Sequence, residues 1–102
     1  MNINFEYDGV KASGRLEIMA AAKLKKLFDK YDFVMRADVF FKKENTSSPD
    51  TGMICNMRLS IPGPRIFAEA SEASFEASIA ESITYLRQQL QKRKGKMYAR
   101  FR

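Results

Sequence analysis

The spacing of the apolar residues changes along the chain in an order that few folds can satisfy. Apolar and polar residues alternate in the opening segment INFEY, and apolar residues then recur on one helical stripe from about residue 15 to residue 31. Alternation returns at residues 33–43, 53–61 and 65–71, and a second helical stripe runs from about residue 73 to residue 94. A period of two is typical of half-buried strands, and a period near 3.6 is typical of amphipathic helices. The sequence therefore predicts the element order β-α-β-β-β-α.

The predicted elements fit a two-layer α+β sandwich built as a single domain. The polar segments ENTSSPDTG and PGP separate the three middle strands, so these strands should pair antiparallel and the last two should form a hairpin. Each helix has one apolar face, which places both helices on the same side of a four-stranded sheet. We assign residues 1–96 to this domain. Gly95 is the predicted end of the last helix, and residues 97–102 are expected to form a flexible basic tail.

The alternation also predicts which side chains lie on the sheet face that the helices leave open. The residues expected on that face are Arg36, Phe40, Lys42, Ile54, Asn56, Arg58, Arg65 and Phe67. Cations interleaved with aromatic rings resemble the platforms on which single-stranded RNA stacks its bases. The candidate RNA contacts on this face are Arg36, Phe40, Arg58 and Phe67. The alternative is ordinary surface, and an error of one residue in the strand phase would turn the whole set inward.

The positive charge of the chain is concentrated near its end. Residues 1–81 hold eleven Lys and Arg and all twelve Asp and Glu, whereas residues 82–102 hold seven Lys and Arg and no carboxylate side chain. Leu86 and Leu90 of the second stripe face the core, so the cations as far as Lys94 are held on a packed helix. A one-signed field of this kind attracts a polyanion such as nucleic acid. The alternatives are a solubilising charge run and a membrane surface, and the membrane is disfavoured because the apolar face of the helix is needed for the core.

The composition argues against an enzyme. The chain has no histidine, so the usual Ser–His and Cys–His pairs and histidine-containing metal sites are excluded. Its one cysteine, Cys55, lies on an apolar strand face and is predicted to be a small buried residue rather than a nucleophile. No glycine pattern matches a nucleotide-binding loop, and no apolar run is long enough to span a membrane. We therefore expect no catalytic residue, cofactor, metal or small-molecule substrate, and the lone cysteine and missing signal peptide favour the cytoplasm.

The order of four segments resembles a known family. These segments are MNINFEYDGVKAS, LEIMAAAKLKKLFDKYD, VFFKKE and IFAEASEASFEASIAESITYLRQQLQKRKGK. Together they make residues 1–96 similar to the short form of the ribosome hibernation promoting factors, also called ribosome-associated inhibitors or sigma-54 modulation proteins. The resemblance implies a β-α-β-β-β-α fold related to double-stranded-RNA-binding domains. It also implies a stress-response protein that binds the decoding region of the small ribosomal subunit, blocks the messenger and transfer RNA sites, and protects idle ribosomes.

The resemblance also implies which residues contact ribosomal RNA (rRNA). They are Lys23, Lys26 and Lys30 in the first helix, Lys42 and Lys43 at the end of the second strand, and Arg87, Lys92, Lys94 and Lys96 at the end of the last helix. Glu76 departs from the family pattern, because a tyrosine often stands near that place. The chain ends at Arg102 without the extra domain by which long forms pair ribosomes, so we expect no such pairing and a monomer when the protein is free.

Two other functions stay open at this point. The first is a general RNA-binding module that uses the open sheet face. The second is an adaptor that regulates transcription machinery through protein contacts, as the older family name suggests. The first alternative predicts that the aromatic residues of the sheet matter more for RNA binding than the cations of the last helix.

Overall fold

The elements follow the predicted order. The structure is a computed structural model that describes residues 2–100, with only the backbone over residues 97–100. Its elements are β1 (Asn2–Asp8), α1 (Gly14–Lys30), β2 (Arg36–Lys43), β3 (Met53–Ser60), β4 (Ile66–Glu72) and α2 (Phe75–Arg100). The predicted α+β fold class is therefore confirmed.

The four strands form one mixed sheet in the order β1-β2-β3-β4. β1 and β2 pair parallel because α1 crosses over between them, whereas β2–β3 and β3–β4 are antiparallel. The predicted hairpin around PGP is confirmed. Gly63 in this turn has a φ of +89°, in the left-handed region that glycine enters without a steric penalty.

Both helices cover the same face of the sheet. The buried strand residues are Ala37, Val39, Phe41, Cys55, Met57, Leu59, Ile66, Ala68 and Ala70, and they form one core with the apolar stripes of α1 and α2. The predicted strand phases are confirmed by this pattern. The alternation over residues 33–43 predicts that Met35 also faces inward, but Met35 is 62% exposed, because it precedes β2 and is not part of the strand.

A serine side chain caps the N-terminus of each helix. Ser13 Oγ accepts a hydrogen bond from the Leu16 amide at 3.3 Å, and Ser74 Oγ accepts one from the Ala77 amide at 3.1 Å. Each bond satisfies an amide that has no partner within its helix.

The predicted end of the last helix at Gly95 is wrong, because α2 continues to Arg100. Gly95 is absent from the glycines with positive φ, so it does not adopt the left-handed conformation that terminates helices. A glycine inside a helix costs only about 1 kcal/mol, which flanking helix formers can offset. The flexibility of residues 97–102 stays a prediction, and residues 101 and 102 lie outside the described residues.

The two helices run in the same direction. β1, β2 and β4 share one direction, and each helix returns antiparallel to the strand that precedes it. Both helices therefore terminate at the same end of the molecule, where β2 and β4 begin and the PGP turn lies. No helix within residues 2–100 combines the length and the hydropathy needed to cross a membrane.

Candidate nucleic-acid interface

Tyr31 joins the basic ends of the two helices. It follows the last residue of α1, and its side chain is only 1% exposed. Lys30 Nζ lies 5.5 Å from the centroid of the Tyr31 ring, and Lys94 Nζ lies 5.7 Å from it. The negative face of an aromatic ring attracts ammonium groups at such distances. One lysine from each helix is thus held at the same ring, and the basic ends of α1 and α2 meet.

Further cations extend this contact along the helices. Lys23, Lys26 and Lys30 recur at intervals of three and four residues, so they share one side of α1. Arg87 lies seven residues before Lys94, which places it two turns earlier on the same side of α2. Together these cations form a surface between the two helices, the interhelix surface, which consists of Lys23, Lys26, Lys30, Arg87 and Lys94.

Among the described residues, no carboxylate forms an ion pair with Lys23, Lys26, Lys30 or Arg87 of this surface. Two ion pairs are observed among the described residues, Arg15–Glu76 at 3.6 Å and Arg36–Asp38 at 2.9 Å, and neither uses a lysine of α1 or Arg87. Glu76, the residue that departs from the family pattern, therefore pairs across the start of the two helices. The acidic first turns of α1 and α2 lie at the opposite end of the molecule from the basic helix ends.

A second basic group lies on the other side of α2. Lys92 and Lys96 line a notch of about 160 Å³ beside Ile66, together with Gln89 and Arg93. Lys92 and Lys96 therefore face the β4 edge and not α1. The structure divides the predicted contacts of the last helix between these two sides.

Arg93 is a structural cation that the sequence reasoning did not single out. Its Nη1 donates to the carbonyl oxygens of Pro62 at 3.3 Å and Pro64 at 3.1 Å. Gln89 Nε2 donates to the carbonyl oxygen of Phe67 at 2.7 Å. These bonds tie α2 to the PGP turn and to the edge strand. The sequence offers no signal for them, because the partners are 22 to 31 residues away.

Lys42 and Lys43 are not brought to the interhelix surface. They end β2, whereas both helices terminate where β2 begins at Arg36. A strand of this length spans roughly 25 Å at ~3.3 Å per residue. Lys42 instead lies opposite Asp8 of β1. These two lysines would contact RNA only at the other end of the molecule.

The open sheet face carries the four predicted contact residues Arg36, Phe40, Arg58 and Phe67. Phe67 is 61% exposed and lies opposite Arg58, whose guanidinium carbon is 5.1 Å from the Phe40 ring centroid. Arg36 is neutralised by its bond to Asp38. This face thus combines aromatic rings with balanced charge, and its role in RNA contact stays a prediction.

Cys55 is buried in the core, as predicted. Burial raises the pKa of its thiol to about 12, so the nucleophilic thiolate is negligible at neutral pH. No group of three or more His, Cys, Asp or Glu side chains in the described part of the chain is arranged to hold a metal ion.

Comparisons with known proteins agree with the predicted resemblance. The model of the family described as "Sigma 54 modulation protein / S30EA ribosomal protein" matches residues 3–98. No curated protein sequence matches the chain significantly.

Two solved structures share the fold. A structure of a ribosomal subunit interface protein from Coxiella burnetii has a TM-score of 0.79 and 22% identity, over 93% of this chain and 99% of that one. The N-terminal domain of Protein Y from Thermus thermophilus has a TM-score of 0.75 and 19% identity, over 90% of this chain and 98% of that one. The chain belongs to the Sigma 54 modulation protein / S30EA ribosomal protein family, whose members are ribosome-associated and non-catalytic.

Proposed function

We propose that this protein binds rRNA in the decoding region of the small ribosomal subunit and sterically blocks the messenger and transfer RNA sites. It would thereby keep idle ribosomes inactive in the cytoplasm, as part of a stress response. Family membership supports the ribosome as the partner, and so does the structural similarity to the ribosomal subunit interface protein from Coxiella burnetii. The observation that carries the proposal is the meeting of Lys30 and Lys94 at Tyr31.

The physical basis is a rigid scaffold that presents a positive surface to phosphates. The interhelix surface is built on two helices that share one core, so its spacing is preserved when RNA approaches. Lys and Arg contacts to phosphates release counterions and position a protein without reading base sequence. Inhibition then follows from occupied space, with no bond made or broken and no cofactor or small-molecule substrate.

The residues differ in their expected roles. The interhelix surface is the primary rRNA contact, and Lys92 and Lys96 extend it around α2 toward β4. Lys42 and Lys43 would contact a separate stretch of RNA at the far end of the sheet. The free protein is expected to be a monomer.

Co-sedimentation with purified small subunits tests the proposal. Lys26→Gln combined with Arg87→Gln removes two cations of the interhelix surface, and Lys11→Gln combined with Lys25→Gln is a control of equal charge change. The interhelix pair should weaken binding at least about tenfold, since each lost phosphate contact costs affinity, whereas the control should change it less than about threefold. Bound wild-type protein should also exclude transfer RNA from the subunit.

Two results would reject the proposal. Wild-type protein that stays in the supernatant at low salt would rule out the small subunit as partner. Equal losses for the two double variants would show that only total charge matters.

A general RNA-binding module on the sheet face is the second candidate, and the exposure of Phe67 beside Arg58 favours it. Under that function, replacing Phe40 and Phe67 with Leu should impair RNA binding more than replacing Arg87, Lys92 and Lys94 with Gln. The opposite order supports the helix ends. An adaptor of transcription machinery is supported by the family description alone.

A further inference from the structure

One side of α2 carries a row of hydrogen-bond donors that reach the backbone of the sheet. Within the described part of the helix, side chains that donate to carbonyl oxygens of β3, β4 and the PGP turn are Ser78, Ser82, Gln89 and Arg93. At ~100° per residue, these donors lie within about 60° of one another around the helix axis. They are called the polar row below.

The polar row and the interhelix surface lie on opposite sides of the apolar stripe of α2. The stripe, which includes Leu86 and Leu90, packs into the core. Arg87 and Lys94 lie beyond the stripe, roughly 100° or more around the axis from every residue of the polar row. The rotation of α2 about its own axis therefore determines two things together. It decides whether the polar row reaches its carbonyl oxygens, and it decides where the two cations lie.

The apolar stripe alone does not fix this rotation closely. Apolar contacts have no preferred direction, whereas a hydrogen bond weakens steeply when its donor moves or tilts. A rotation of ~20° moves atoms ~6 Å from the helix axis by about 2 Å. That displacement is enough to break the bond of 2.7 Å from Gln89 Nε2 to Phe67. It is also enough to carry Lys94 Nζ, which lies 5.7 Å from the Tyr31 centroid, past the ~6 Å over which a ring attracts a cation.

Gln89 and Arg93 are the members of the polar row closest to the cations. Arg93 immediately precedes Lys94, and Gln89 follows Arg87 by two residues. The two serines of the row are fully buried near the start of the helix, whereas the bonds of Gln89 and Arg93 are exposed. The turn is fitted closely to the arginine, because a Cβ at Gly63 would lie only 3.3 Å from Arg93 Nη1.

We propose that Gln89 and Arg93 are positioning residues for the interhelix surface. Their bonds to the edge strand and to the PGP turn fix the rotation of α2, so that Lys94 meets the Tyr31 ring and Arg87 faces α1. Neither residue has to touch RNA in this role. The inference rests on the proposed function for its effect on binding, whereas the geometry is tested on the free protein.

NMR of the free protein tests the geometry. Gln89→Leu combined with Arg93→Lys removes the amide donor and shortens the cationic side chain, while the net charge is unchanged. The nuclear Overhauser effect (NOE) between the Tyr31 ring and the Lys94 side chain should weaken at least about twofold, because a displacement of ~2 Å separates them. The NOE between the same ring and Lys30 is the internal reference and should not change, because both residues lie at the end of α1.

Co-sedimentation with small ribosomal subunits tests the consequence for binding. The double variant should bind about fivefold more weakly, because displaced cations make poorer phosphate contacts although the total charge is kept. Gln88→Leu makes the same amide-to-leucine change at a neighbouring exposed position. Ser74→Ala removes the cap at the other end of α2 and lowers stability without touching the polar row. Both controls should bind within about twofold of the wild type, because they leave the phosphate contacts in place.

Two results would overturn the inference. An unchanged NOE between Tyr31 and Lys94 would do so even if binding is weaker, because Gln89 and Arg93 would then act by direct contact with RNA. An equal loss of binding in either control would do so because the effect would then be general. If the double variant does not fold, Gln89→Leu alone should show the same two changes at smaller size. If the wild type does not bind small subunits, the proposed function fails and the NOE still decides the positioning role.

Discussion

Tyr31 shows how a single residue can serve both packing and function. Its spacing on the α1 stripe marks it as a core residue, and its burial confirms this. Its position at the end of the helix brings the ring against Lys30 and Lys94, which only the packing of α2 reveals. The hydroxyl gains nothing from this arrangement, because it is buried without a hydrogen-bond partner among the described residues.

Two substitutions of Tyr31 should distinguish the contribution of its ring from that of its hydroxyl. Tyr31→Phe removes a buried polar group and keeps the ring, so the free energy of unfolding should be unchanged or higher by up to about 1 kcal/mol. Tyr31→Leu removes the ring and should weaken small-subunit binding about threefold beyond any loss of stability. Urea unfolding and co-sedimentation measure the two effects. A Tyr31→Phe variant destabilised by more than about 1 kcal/mol would reveal a partner for the hydroxyl.

Cys55 should make stability depend on alkaline pH. Burial raises the pKa of its thiol from 9.0 to about 12, so between these values the unfolded chain releases a proton that the folded chain keeps. The stabilisation is complete below pH 9 and decreases as pH rises, by up to about 1.4 kcal/mol per unit. Cys55→Ala removes the contribution of the thiol to this decrease, while the other groups still titrate. Equal alkaline slopes for the two proteins would contradict the burial of the thiol.

At the scale of elements, Arg93 should stabilise the packing of α2 against the β3–β4 hairpin. Arg93→Ala removes two hydrogen bonds to the PGP turn, and we expect the free energy of unfolding to decrease by about 1 kcal/mol. Lys92→Ala removes the same charge from the adjacent exposed position and should cost less than about 0.5 kcal/mol. Denaturant unfolding of the two variants checks the difference. Equal losses would mean that helix propensity, and not the bonds to the turn, determines the result.

The elements that could be predicted from the sequence are those specified by local periodicity. The stripe of α2 and the alternation of β3 fixed which side chains are buried, because each pattern has one apolar face to cover. Contacts between distant segments gave no such signal. Ser78 and Ser82 look like polar surface residues, yet both are fully buried and donate to carbonyl oxygens of β3. Local chemistry also misled at Gly95, where glycine continues the helix.

The placement of the candidate site was only partly predictable for the same reason. Helical spacing predicts that Lys23, Lys26 and Lys30 lie on one side of α1. Whether Lys94 lies beside them depends on how α2 packs against α1, which local spacing does not specify. Lys42 and Lys43 lie far from the helix ends because of the direction in which β2 runs. That direction can be deduced only when the sheet topology is known.

At the scale of the molecule, the fold places the acidic and the basic residues of the two helices at opposite ends. Both helices begin with acidic residues and end at the same side of the sheet, where Lys30, Arg87 and Lys94 lie. Helix dipoles add to this separation at the N-termini, where carboxylates are favoured. A parallel pair of helices thus presents a single basic end to RNA, while the sheet faces away with balanced charge.

This polarity predicts how ribosome binding depends on salt. About five to seven phosphate contacts give a slope of log affinity against log salt near −4 to −5, at ~0.7 per contact for single strands. Lys26→Gln combined with Arg87→Gln should make the slope shallower by about 1.4, because two counterions are no longer released. Lys11→Gln combined with Lys25→Gln has the same net charge and should keep the wild-type slope. A slope near zero would show that the cations do not contribute to binding, and the same change for both pairs would show that they act only through bulk charge. Either result would mean that the interhelix surface does not contact the phosphates.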